Sequence, residues 1–140
     1  MSVTSQILKI HAELYKRTDG RIGHRMVGVP TLLLRTTGAR SGVTRTNSLV
    51  YARDGDDYLV VASNGGSDRH PAWLYNLRAN PGVEIQIARE RQKGTAKALE
   101  PTDPDYDRLW KIVNENNRDR YSAYQKQTAR AIPVVVITPT

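Results

Sequence analysis

The chain of 140 residues contains no cysteine and no phenylalanine. Without cysteine there is no disulfide, no thiolate nucleophile and no cysteine-bound metal. Without phenylalanine, and with no aromatic-rich strand, nothing is laid out to stack nucleic-acid bases, so a nucleic-acid partner is not expected. Histidine is scarce: His11, His24 and His70 stand apart, none at the spacing of a metal-binding pair, so no metal site is expected. Neither G-x-G-x-x-G, G-x-x-x-x-G-K-[ST] nor G-x-S-x-G occurs, which removes the fingerprints of dinucleotide folds, P-loops and serine hydrolases. No apolar run approaches the length of a membrane span. The first residues, "MSVTSQILKIHAELYKR", lack an apolar signal-peptide core. A cytoplasmic setting fits.

What is present describes a single globular domain over 1–140, with 39% hydrophobic and 25% charged residues. The net charge is +7, carried by 15 Arg and only 6 Lys. Such a balance calls for an acidic partner: nucleic acid, a membrane surface or a polyanionic small molecule. Arginine is the better planar clamp for phosphate and carboxylate.

Residues 3–17 read as an amphipathic helix with Ile7, Leu8, Ile10, Leu14 and Tyr15 on one stripe. Packed, that helix covers the core. Held loosely, it would offer Lys9, Lys16, Arg17 and Arg21 to an anionic membrane as a peripheral contact. Strands are predicted over 31–35, 46–53 and 58–63, the last two joined by the turn "DGDD". "PAWLYNLRANP" predicts a short helix. Further strands are predicted over 83–88, 94–101 and 131–139, with a helix opening near Asp103 and Pro104 and another over 119–128. The first three strands follow one another without long crossovers. An α+β fold results, with about six mainly antiparallel strands in a sheet or barrel and helices at its periphery.

The carboxylates sit in turns or caps: Asp54, Asp56 and Asp57 in the hairpin, Asp103 and Asp105 before a helix. The chain thus shows no acid, base, nucleophile or metal set of its own. If it is an enzyme, a cofactor carries the reaction. Two stretches suit one. "TTGARSG", 36–42, leaves a buried strand through a glycine-spaced turn whose Arg40, with Ser41 and the nearby Arg45, supplies donors for phosphate or carboxylate oxygens. A solvated hairpin loop is the plain alternative. "ASNGGSDRHPAWLYNL", 62–77, brings Ser63 and Asn64 to a glycine pair whose amides can approach a flat ring. Trp73 and Asn76 follow on one helix face, where core packing and helix capping are the ordinary roles.

"LLLRTTGARSGVTRTNSLVY", "YLVVASNGGSDRHPAWLYNLRANPGVEIQI" and "RAIPVVVITP" resemble the deazaflavin-dependent nitroreductase family, which uses coenzyme F420 and occurs in actinobacteria. The resemblance runs from about Gly28 to Pro139 and diverges near 89–118. It implies a split β-barrel and hydride transfer from the reduced deazaflavin to a small-molecule acceptor: a quinone, an activated alkene or a nitro compound. It implies that Arg40, Ser41 and Arg45 hold the phosphate, and that Arg17, Arg21 or Arg25 meets the glutamyl tail. Val61, Ala62, Ser63 and Asn64 would lie along the ring, with Asn76 near the cofactor and Trp73 packed beside it. Ser63, Tyr121 and Tyr124 would be the catalytic set, stabilising charge or supplying a proton. Val50 and Arg118 stand where the family has pocket tyrosines, which implies an altered substrate pocket. FMN in the same barrel, and a non-catalytic F420-binding role, are the alternatives.

Overall fold

The computed structural model describes residues 25–26 and 29–140. The helix expected over 3–17, and with it Lys9, Lys16, Arg17 and Arg21, lies outside the described residues.

One antiparallel sheet organises the chain. Its strands are β1 (Arg25–Met26), β2 (Val29–Thr37), β3 (Thr44–Val50), β4 (Ala52–Asp54), β5 (Asp57–Val61), β6 (Gly82–Ile87), β7 (Glu90–Leu99) and β8 (Val134–Pro139). The order is β1-β2-β6-β7-β8-β5-β4, and β3 pairs with β2 on that strand's other side. β3 and β4 are one stretch of chain interrupted at Tyr51, whose N–H donates to Pro30 O at 3.2 Å. One half of this stretch pairs with β2 and the other with β5. The sheet therefore curls until its pairing path returns to the same segment, which makes a split barrel. The sequence predicted that segment as a single strand over 46–53; the break at Tyr51 is the bend that curling requires.

Register fixes the two faces. Leu34 stands opposite Asn47 on β3 and Ile85 on β6, and residues directly opposite share a face. Leu32, Leu34, Tyr58, Val60, Val83, Ile85, Val135 and Ile137 point inward and form the first apolar cluster. Helix α1 (Ala72–Ala79) adds Trp73, Leu74 and Leu77 to it. On the outer side, Leu59, Val61, Leu99 and Val134 pack with Tyr106, Leu109 and Val113 of α2 (Tyr106–Asn116) and Tyr121 of α3 (Arg120–Gln125). β5 is thus apolar at consecutive positions because both its faces are covered.

α2 begins later than Asp103 and Pro104 suggest. Asp103 Oδ2 accepts the N–H of Glu100 at 2.7 Å, so its carboxylate closes the preceding turn and does not cap the helix. The Tyr106 hydroxyl donates to Ile132 O at 2.6 Å and ties α2 to the chain entering β8; burial pushes its pKa up to about 12. β7 starts earlier than expected because the hairpin after β6 is tight, with Ala88 at φ 53°.

Leu74 has no exposed surface and is the residue by which α1 enters the inner cluster. Leu74→Ala is expected to lower unfolding stability by about 2–5 kcal/mol, read as a shifted urea midpoint at unchanged slope.

Candidate functional site

The turn between β2 and β3 is closed by its own backbone. Gly38 N–H donates to Val43 O at 2.8 Å, and Gly42 N–H donates to Gly38 O at 3.0 Å. The Ser41 hydroxyl accepts the Val43 N–H at 3.1 Å. A Cβ on residue 38 would lie 2.6 Å from Ser41 Oγ and 3.1 Å from Val43 O, so a side chain there would displace the Ser41 hydroxyl and crowd the turn.

Helix α1 holds this turn from the side. Asn76 Oδ1 accepts the Ala39 N–H at 3.0 Å, and its Nδ2 donates to Thr36 Oγ1 at 3.2 Å. One turn further along, Asn80 Nδ2 donates to Thr37 O at 3.4 Å. Asn76 is therefore a bracket between strand end, turn and helix, and the capping role open to it in the sequence is not the one it takes.

What the turn leaves over is a set of donors. The amides of Arg40 and Ser41 and the guanidinium groups of Arg40 and Arg45 have no partner among the described residues, and all are exposed. Arg45 stands opposite Thr36, so it points to the same face as the Asn76 bracket. Other arginines are engaged: Arg35 with Glu84, Arg78 with Glu100, Arg108 with Asp54. An exposed, anchored cluster carrying two unpaired positive charges suits phosphate oxygens.

The second stretch follows β5. Ser63 is in the right-handed region at φ −78° and ψ −31°, and Asn64, Gly65 and Gly66 have φ of 45°, 63° and 83°. Gly66 N–H donates to Ser63 O at 2.9 Å. A Cβ on residue 66 would lie 3.0 Å from Tyr124 O, so glycine lets the loop sit against α3. Ser63 is buried, and its hydroxyl has no partner among the described residues. Val61 and Ala62 are buried in opposite clusters. Trp73 is 4% exposed and belongs to the inner core.

The two tyrosines differ. Tyr121 is enclosed in the outer cluster, and burial holds its hydroxyl well above the ordinary phenol range despite a hydrogen bond with Asn117. Tyr124 is half-buried at the edge of that cluster, its ring 6.4 Å from that of Tyr121. Val50 is half-buried on β3, and Arg118 is exposed with φ 55°. Among the described residues no group of three or more His, Asp or Glu is placed to hold a metal ion. None of the described helices is long and apolar enough to cross a membrane.

The family model described as F420H(2)-dependent quinone reductase matches residues 7–139. The chain belongs to this family. An F420H(2)-dependent quinone reductase of Mycobacterium tuberculosis (strain ATCC 25618 / H37Rv) is 58% identical over 134 residues, 95% of this chain and 90% of that protein. A solved structure of an F420-H2 dependent reductase is 37% identical at TM-score 0.69, covering 77% of this chain and 93% of the other. A second solved structure, described only as a domain-swapped dimer, is 32% identical at TM-score 0.72, covering 97% of this chain and 99% of the other. The family description is quinone reductase where the sequence motifs suggested nitroreductase, and the FMN alternative draws no support from these names.

Two residues of this quinone reductase family member escaped sequence reasoning. Arg130 donates from Nη2 to Ser63 O at 2.7 Å, from Nε to Ser67 O at 2.8 Å and from Nη1 to Ala62 O at 3.2 Å. The same Nη1 lies 3.0 Å from His70 Nδ1. Arg130 opens "RAIPVVVITP", but nothing in the order of residues says that it reaches back to the loop after β5. His70 stands alone in the sequence, and its partner is 60 positions away.

Asn76→Ala removes both bracket bonds, leaving the exposed Ala39 amide to water and the buried Thr36 hydroxyl without its amide partner. A stability loss of about 1–3 kcal/mol is expected. Faster amide hydrogen exchange should be confined to 36–43 and α1; uniform acceleration across the sheet would mean that the bracket supports the whole barrel.

Proposed function

We propose that the chain binds the reduced deazaflavin coenzyme F420H2 and passes its hydride to a quinone-type acceptor. The observation that carries this reading is the anchored turn with its unpartnered Arg40 and Arg45, together with the family to which the chain belongs. Arg40, Arg45, the Ser41 hydroxyl and the free amides of the turn would hold the coenzyme's phosphate. The backbone donors are already held by the turn, so binding there orders only the two arginine side chains. Arg25 stays a candidate for the acidic tail.

The loop 63–67 would lie along the ring. Its contribution is main-chain: the amides of Ser63, Asn64 and Gly65 have no partner among the described residues and can donate to ring or acceptor oxygens. The Ser63 hydroxyl is a further donor at the same place. Trp73 supports this from the core and Asn76 from the turn.

When bound, the coenzyme supplies a hydride; with one further proton, that converts a quinone to its quinol. The protein's task is to hold the acceptor against the donor carbon, exclude water and stabilise the oxygen that gains charge. Tyr124, half-buried at the cluster edge, is better placed to pass a proton than the enclosed Tyr121, which burial makes a poor acid. Water is a sufficient proton source for a quinol oxygen. The half-buried Val50 and exposed Arg118 leave the acceptor side without two of the family's tyrosines, which favours a flat quinone over an acceptor needing many hydroxyl contacts.

Titration with F420, followed by protein fluorescence, is expected to show saturable binding, with FMN much weaker. Arg40→Ala and Arg45→Ala should each weaken F420 roughly 10- to 100-fold and flatten the salt dependence. Anaerobic oxidation of F420H2 by a soluble naphthoquinone should follow; binding without turnover on any quinone would instead support a storage role.

A further inference from the structure

Arg130 lies where three carbonyls of one loop converge. Its guanidinium binds Ala62 O, Ser63 O and Ser67 O, and its fourth contact is His70 Nδ1. Only a planar fork with five donors can serve four acceptors from one partly buried position. Drawing these oxygens to one side fixes the peptide planes between them. A flip of the peptide between residues 63 and 64 would exchange an outward N–H for a carbonyl, and the guanidinium prevents it by holding Ser63 O. The right-handed Ser63 followed by the left-handed Asn64 then aims successive N–H groups to one side. Thr128 reinforces the junction by donating to Asp68 Oδ1 at 2.8 Å.

We infer that Arg130 is the positioning residue for the coenzyme's ring and that its contact with His70 makes ring binding respond to pH. The inference rests on the reading that loop 63–67 lies along the deazaflavin. His70 can accept from Arg130 only while Nδ1 is unprotonated, so the ring proton belongs on Nε2. Protonation would set an N–H and a positive charge against the guanidinium.

The surroundings decide how readily that happens. From the segment after α3 the ring faces Arg130; from α1 it faces Arg78 and the Tyr75 ring, at 5.8 Å; from the chain after β7 it faces Glu100. Arg78 and Glu100 are paired with each other at 2.6 Å, while Arg130, which also feels the Tyr75 phenol and the Asp68 carboxylate, is the arginine in direct contact with the ring. Burial first, and then the two arginines, lower the His70 pKa from 6.5, and Glu100 only partly opposes them. The sign follows. A histidine harder to protonate in the folded chain than in the unfolded one leaves the loop fully held above pH 6.5. The hold weakens as pH falls from there through the lower, folded pKa.

The test uses the full chain. In the coenzyme-free protein, NMR titration of the His70 ring should show a midpoint below 6.5 that rises in Arg130→Gln. With F420 as probe at about pH 7.5, Arg130→Lys should bind roughly ten-fold more weakly and shift the absorbance band of the bound coenzyme, since lysine keeps the charge but not the fork. Between about pH 7.5 and about pH 5.5, the wild type should lose more affinity than His70→Gln, which cannot titrate. Arg130→Lys with wild-type affinity and spectrum, or identical pH profiles for wild type and His70→Gln, overturns the inference. If Arg130→Gln does not fold, the His70→Gln comparison still decides. A wild type that binds no F420, while Arg130→Gln still raises the His70 midpoint, places the error in the coenzyme reading and removes the positioning role with it.

Discussion

The pair β5–β8 is walled on both sides, and the rest of the molecule is arranged around that constraint. Val60 and Val135 face the barrel interior, while Leu59, Val61 and Val134 face α2 and α3. Two apolar clusters therefore share one two-stranded wall, with cross-strand pairing from Tyr58↔Ile137 to Val61↔Val134. A strand buried on both faces is held by packing from either side, here by the barrel interior and by α2 and α3. That rigidity is delivered to the point where the chain leaves the sheet, at Ala62 and Ser63. The loop that follows inherits a fixed origin.

Both candidate contact regions follow one building rule: the loop's backbone faces outward, and side chains from elsewhere hold it from behind. Asn76 and Asn80 do this for the turn after β2, and Arg130 does it for the loop after β5. In each case the holding residue comes from a helix or segment anchored in a core cluster. The groups offered to a ligand are then backbone amides fixed by the turn, together with exposed arginines that supply charge and must order on binding. This suits a protein whose chemistry belongs to a bound group and whose own task is orientation.

The sequence made the sheet largely legible because its signals are local. "DYLVV" is apolar at consecutive positions, "DGDD" turns, and "VEIQI" alternates, with Val83 and Ile85 inside. The glycine and hydroxyl pattern of "TTGARSG" also marked a tight turn between β2 and β3. What stayed hidden depends on tertiary closure. The break at Tyr51 answers to the curl of the whole sheet, and no property of tyrosine announces it. Asp103 and Pro104 look like a helix start, but the Glu100 amide competes for the carboxylate and wins. The enclosure of Tyr121 depends on how α3 packs against β5 and α2, which spacing in "RYSAYQ" does not specify. Arg130 was one cation among 21, and its partners lie 60 or more positions upstream.

Helix α1 touches both regions. Its first turn continues directly from loop 63–71, and its Asn76 grips the turn after β2. Four residues of helix, roughly 6 Å at the usual rise, separate the end of one region from the fastening of the other. Because Trp73, Leu74 and Leu77 seat that short rod in the core, its length cannot vary with solvent or with what is bound. If the two regions hold ring and phosphate as proposed, this spacing acts as a gauge: a compound with a shorter or longer bridge between them would satisfy one grip only by giving up the other.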